Sequence, residues 1–141
     1  MQNLSNRFVF LTAFLLSLLL FTSCTRKARF DQSVVVPSAH GRVKVKKDAN
    51  NNYSINVYVR DLTVPERLVP AKKTYIVWNE ASNGVFNIGQ LVSSRSFLKR
   101  GFTAELNAVS PNNPRRVFVT AEDDANTLAP GPQVVLNSGK L

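Results

Sequence analysis

The residues that could do chemistry are few. The 141-residue chain has one histidine, one cysteine and 9 acidic residues, against 18 lysines and arginines and a formal charge of +9. Titratable groups cluster most closely at Glu122-Asp123-Asp124, with Asn126 just beyond. Hard oxygens at that spacing can hold Ca²⁺, but the run is short and has no glycine at the turn position an EF-hand loop needs. It reads as a solvated acidic loop. His40 has no thiol or carboxylate beside it in sequence and reads as an ordinary loop histidine. Serines and threonines are plentiful, yet no Gly-x-Ser-x-Gly elbow or glycine-rich phosphate loop accompanies them. A lone His and a lone Cys exclude an intrachain disulfide framework and most zinc sites. The expectation is a non-enzyme with no metal and no cofactor.

The basic residues are the stronger signal. Arg42–Lys47 alternates, with Val43 and Val45 on one face and Arg42, Lys44 and Lys46 on the other. Tyr53–Arg60 alternates again, setting Ile55, Val57 and Val59 against Ser54, Asn56, Tyr58 and Arg60. The Asp48–Asn52 cluster between them is turn chemistry, so the two runs predict a β-hairpin with one wet face. Arg42, Lys44, Lys46, Tyr58 and Arg60 on that face are the candidate ligand-binding residues. Anionic lipid, lipopolysaccharide or acidic glycan would suit them. The plainer alternative is a solvated face whose lysines blunt an exposed edge strand. Two further basic sets are Arg95, Lys99 and Arg100 around Phe97, and Arg115 with Arg116 at the start of a later strand.

Strands must position these groups. Ser33–Val36, Lys73–Asn79, Val85–Val92, Phe102–Val109, Arg116–Ala121 and Gln133–Leu136 join the hairpin. Loops run over 62–71 with Pro65 and Pro70, over 110–114, and over 122–132. The nearly apolar Lys73–Asn79 predicts a central strand buried on both faces, with Trp78 in the sandwich core and Tyr75 capping the opposite face. Gly89 inside a strand predicts a bulge or a close backbone approach. With 44% hydrophobic and 19% charged residues the chain is not disordered. About seven to nine short strands without a convincing helix predict an all-β antiparallel β-sandwich over residues 33–141.

The amino-terminal stretch reads as an address. Arg7 precedes the apolar run Phe8–Phe21, 14 residues long. That is short of the roughly 20 needed to span a bilayer and fits a signal peptide over residues 1–23. Phe21-Thr22-Ser23-Cys24 resembles the lipobox of bacterial lipoproteins, with Phe21 where leucine is usual. The resemblance implies acyl chains on Cys24, hence anchoring to a membrane of the cell envelope, where more than one chain makes attachment stable. Ordinary signal cleavage leaving a free thiol is the alternative. The mature chain would have 118 residues and a charge of +8, since residues 1–23 remove Arg7 alone. Residues 24–32 read as the lipidated cysteine and a basic tether, whose Arg26, Lys27 and Arg29 either meet anionic head groups or serve as a solvated linker. Thr25 after the cysteine points to an outer-membrane, periplasm-facing placement rather than the inner membrane. Export excludes nucleic acid as a partner.

Tyr75-Ile76-Val77-Trp78, Gly84, Asn87-Ile88-Gly89-Gln90-Leu91, Phe102-Thr103-Ala104, Phe118-Val119-Thr120-Ala121-Glu122 and Pro130-Gly131-Pro132 recur in an order and spacing that resembles the extracytoplasmic C-terminal domain of anti-sigma-K-factor-like proteins. Gly41-Arg42-Val43 and Asp61-Leu62 upstream also fit, so the likeness covers about residues 41–137. It implies an immunoglobulin-like sandwich outside the cytoplasmic membrane. Sigma-factor inhibition is not carried over, because the sequence has no cytoplasmic helical domain, His/Cys cluster or second apolar span. The sequence therefore predicts a lipid-anchored binding module of the bacterial envelope. Two rivals are a regulatory accessory docking on a membrane signalling protein and a structural envelope lipoprotein.

Overall fold

A computed structural model describes residues 25–94 and 102–141. The predicted signal peptide 1–23, Cys24, and the basic set Arg95, Lys99 and Arg100 with Phe97 lie outside the described residues. The strands are β1 (Thr25–Arg29), β2 (His40–Lys47), β3 (Tyr53–Leu62), β4 (Thr74–Ala81), β5 (Gly84–Gln90), β6 (Val92–Ser94), β7 (Phe102–Ser110), β8 (Arg116–Glu122) and β9 (Val134–Asn137). They form two antiparallel sheets, ordered β1-β2-β3-β7-β6 and β5-β4-β8-β9. The chain is an all-β sandwich. Among the described residues no helix is long and apolar enough to cross a membrane.

Period-two alternation builds the core. Val43 and Val45 of β2 and Ile55, Val57 and Val59 of β3 turn inward, to meet Tyr75 and Val77 of β4 and Val117, Val119 and Ala121 of β8. β-branched side chains suit this pleated surface, and each fully buried valine or isoleucine contributes about 1.5–3 kcal/mol. The hairpin falls where the alternation placed it, with Arg42 opposite Tyr58 and Lys44 opposite Asn56. β4 is buried along its length except at Glu80. At Gly89, which has φ 135°, the β4–β5 register slips, so the predicted bulge is present.

Four local expectations need correction. Residues 25–29, read as part of a tether, form β1 and pair with β2 from Thr25↔Lys46 to Arg29↔Arg42. Ala28 packs against the core, while Arg26 donates from Nη1 to the Pro114 carbonyl at 2.9 Å and from Nη2 to Asn113 Oδ1 at 2.6 Å. These contacts hold a segment whose sequence shows no apolar period. Residues 33–36 are not a strand. The Ser33 hydroxyl accepts from the Val36 N–H at 2.9 Å, a local turn that competes with sheet pairing. The predicted strand 85–92 is two strands in different sheets, because the chain bends at Leu91, whose N–H donates to the Tyr75 carbonyl.

The fourth correction exchanges Trp78 and Tyr75. Tyr75 faces the space between the sheets and donates its hydroxyl to the Thr63 carbonyl at 2.7 Å. Burial, and to a lesser degree the Glu66 charge, pushes its phenol well above the usual range. Trp78 lies on the outer face of its sheet with Ile76 and Phe118, and is nonetheless fully buried. The 122–132 loop supplies the cover: Ala125 packs on this second cluster, and Asn87 Nδ2 donates to the Ala125 and Thr127 carbonyls, both at 3.0 Å.

Candidate anion-binding face

Cross-strand partners in an antiparallel pair project from the same side of the sheet. The register therefore decides which cations share a face. Lys27 stands opposite Lys44, Arg29 opposite Arg42, and His40 opposite Arg60. Lys46 follows on β2, opposite Thr25 on one side and Ser54 on the other. Because Val43, Val45, Val57 and Val59 point into the core, these partners point out. Lys27, Arg29, Arg42, Lys44, Lys46 and Arg60 are all exposed. Same-face neighbours along a strand are about 6.7 Å apart and adjacent strands about 4.8 Å apart. The cations thus form a band along β2 flanked by β1 and β3.

Two features separate this band from an ordinary wet face. Like charges sit directly opposite each other at Lys27↔Lys44 and Arg29↔Arg42, an arrangement that destabilises a sheet. Nor does a carboxylate relieve them: the ion pairs among the described residues are Lys72–Asp123 and Arg116–Glu80. Glu105 of β7, in register with Tyr58, is engaged elsewhere. Its Oε1 accepts from Asn56 Nδ2 at 2.9 Å and from Asn107 Nδ2 at 3.3 Å. The Arg42 guanidinium lies over the Tyr58 ring, 4.7 Å from its centroid, which fixes the orientation of the planar fork.

At the β1–β3 end the band borders an open cleft of about 610 Å³, lined by Lys27, Arg29, Arg42 and Arg60 with His40 and Tyr58. Phe30 forms a wall. Its N–H donates to the Gly41 carbonyl at 3.0 Å and its ring lies over bare backbone at Gly41. A Cβ at position 41 would come within 2.7 Å of the Tyr58 carbonyl and 2.8 Å of the Phe30 ring.

All five predicted contact residues, Arg42, Lys44, Lys46, Tyr58 and Arg60, lie on this one face. Lys27, Arg29 and His40 belong with them. Their place follows from β1 pairing and from β2 beginning at His40. Two other described arginines are engaged away from this face. Arg26 points to the opposite side, and Arg116 pairs with Glu80 while stacking on Phe118 at 4.8 Å.

The acidic run is structural in its contacts. Glu122 is buried at the end of β8, its Oε1 accepting from the Thr120 hydroxyl at 2.5 Å and the Gly131 N–H at 2.7 Å. Thr120 in turn accepts from Trp78 Nε1 at 2.7 Å. Asp123 pairs with Lys72, and Asp124 accepts the Asn126 N–H at 2.9 Å. No group of three or more potential metal ligands is assembled among the described residues. No protein-family model, curated protein or solved structure matches the chain.

Proposed function

We propose that this chain is an exported, lipid-anchored binding module of the bacterial envelope. In this reading it attaches to a membrane through acyl chains on Cys24 and holds anionic envelope components on the β1–β3 face without catalysing a reaction. The observation that carries the binding assignment is the band of six cations, with two like-charge pairs in direct register and, among the described residues, no carboxylate ion-paired with them. Such a face lowers the stability of the unliganded protein, and a bound polyanion relieves that cost. The β1 strand bears on the anchor as well. It begins at Thr25, immediately after Cys24, so acylation at that cysteine would hold the basic sheet at the membrane surface, where each Lys or Arg contributes about 1 kcal/mol near anionic lipid.

Strand order supports an immunoglobulin-like assignment of the sandwich. β2-β3-β7-β6 and β5-β4-β8-β9 follow the A-B-E-D and C′-C-F-G orders of that fold, with β1 added outside the first strand. Trp78, on the strand equivalent to C, departs from it by facing outward.

Cross-linking of the anchored protein in intact cells, followed by mass spectrometry of the adducts, tests the function. The proposal requires adducts with abundant anionic components that disappear in Lys44→Glu with Lys46→Glu. One dominant protein partner, unaffected by that double substitution, would make the chain a docking accessory instead. The anchor is tested separately by fatty-acid labelling, which should be lost in Cys24→Ala.

A further inference from the structure

Charge alone would make the face a nonselective adhesive, but one part of it has more definite chemistry. The cleft at the β1–β3 end draws one arginine from each of three adjacent strands: Arg29 from β1, Arg42 from β2 and Arg60 from β3. Arg29 is directly opposite Arg42, and Arg60 is one diagonal step away, a separation of about 7–8 Å between backbones. Long guanidinium side chains on such a triangle can converge on one small anion. The Tyr58 ring holds the Arg42 fork in place. Lys44 and Lys46 lie along the band, away from the cleft lining.

We infer that this cleft is a site for a phosphate monoester group, gripped by Arg29, Arg42 and Arg60. The inference rests on the anionic-binding function proposed above and names the group that the face selects. A carboxylate offers two oxygens in a plane, which a single arginine fork satisfies. A phosphate monoester offers three terminal oxygens in a tetrahedral array, so donors arriving from three strands can each take one. The 610 Å³ cleft is in the size range of small-molecule sites and leaves room for the sugar or glycerol bearing the phosphate. Lys27 and His40 at the rim add donors on the same side. The group can come from a soluble phosphorylated sugar or polyol, or from a lipid head group.

The test uses the full chain in non-ionic detergent, titrated with glycerol phosphate and with glucuronate at matched ionic strength. In parallel, the full chain is presented with bilayer nanodiscs containing phosphatidic acid or phosphatidylglycerol. Saturable binding of glycerol phosphate in preference to glucuronate assigns a soluble source. Binding confined to phosphatidic acid over phosphatidylglycerol assigns a lipid head group. In either case Arg42→Lys, which keeps the charge but loses the fork, should weaken binding about tenfold. Lys73→Gln with Lys140→Gln should change it less than about twofold, both lysines being exposed and outside the band and the cleft. An unchanged thermal midpoint in Arg42→Lys shows that the fold is intact. Equal affinity for carboxylate and phosphate, or full affinity in Arg42→Lys, overturns the cleft assignment and leaves the charged face standing. If the cleft binds phosphate while Lys44→Glu with Lys46→Glu leaves the cellular adducts unchanged, the broader face assignment fails and the cleft survives.

Discussion

Replacing Lys44 by glutamate should make the unliganded protein more stable. Lys44 faces Lys27 across the β1–β2 ladder and has Arg42 and Lys46 as same-face neighbours on its own strand. Two unit charges about 7 Å apart in water repel by roughly 0.6 kcal/mol, which screening at physiological salt reduces to about 0.25 kcal/mol. A carboxylate at position 44 turns repulsion from three neighbours into attraction, and flexible side chains relieve part of the original repulsion. The net gain is about 0.5–1 kcal/mol, or about 2–4 °C in thermal midpoint for a chain of this size. Trp78 is the sole tryptophan and fully buried, so its fluorescence follows unfolding directly. Lys44→Gln should gain about half as much. At 1 M salt the Debye length falls to about 3 Å and both gains should vanish. A lower midpoint for Lys44→Glu, or a gain that persists at 1 M salt, would refute the claim that unrelieved repulsion marks this face.

Three further outcomes follow from the contacts. Arg26→Ala removes the bonds to Pro114 and Asn113 and should release β1, seen as faster amide exchange over residues 25–29 with the central strands unchanged. Gly131→Ala places a Cβ 2.8 Å from Glu122 Oε2, so it should lift the 122–132 loop, expose Trp78 and red-shift its emission. Tyr75 has a raised folded pKa against an ordinary value of 10.0, so its contribution to stability is complete below about pH 10 and is lost as pH rises further. Tyr75→Phe should flatten that alkaline loss in denaturant titrations, and at neutral pH cost about 1–3 kcal/mol because the Thr63 carbonyl loses its donor.

Period-two patterning made most of this sandwich readable in the sequence. Val43, Val45, Ile55, Val57 and Val59 alternate with polar residues, so the strands, their wet face and the hairpin followed together. β1 was not readable because TRKAR has no apolar alternation; it is held by Ala28, by the Arg26 bonds and by backbone pairing to β2. For the same reason Lys27 and Arg29 could be seen as basic but not placed beside Lys44 and Arg42. The orientation of β4 was hidden by its uniformity. With Tyr75, Ile76, Val77 and Trp78 all buried, sequence alone cannot say which parity faces the other sheet. That choice depends on the polar loop 122–132 crossing the outer face, a long-range contact with no local signature. The break at Leu91 is hidden likewise, since Val85–Val92 reads as one continuous strand until its end joins β7.

Contact between the β1–β3 face and an anionic surface is the step on which the proposed function depends. Lysine-reactive footprinting addresses it most directly, with the full chain anchored in vesicles of neutral lipid and in vesicles containing anionic lipid. Lys27, Lys44 and Lys46 should label several-fold more slowly on the anionic vesicles, while Lys73 and Lys140, outside the band, should label equally on both. Raising the salt should restore labelling of the three protected lysines. Equal labelling of all five lysines on the two surfaces, at low salt as well as high, would contradict the claim.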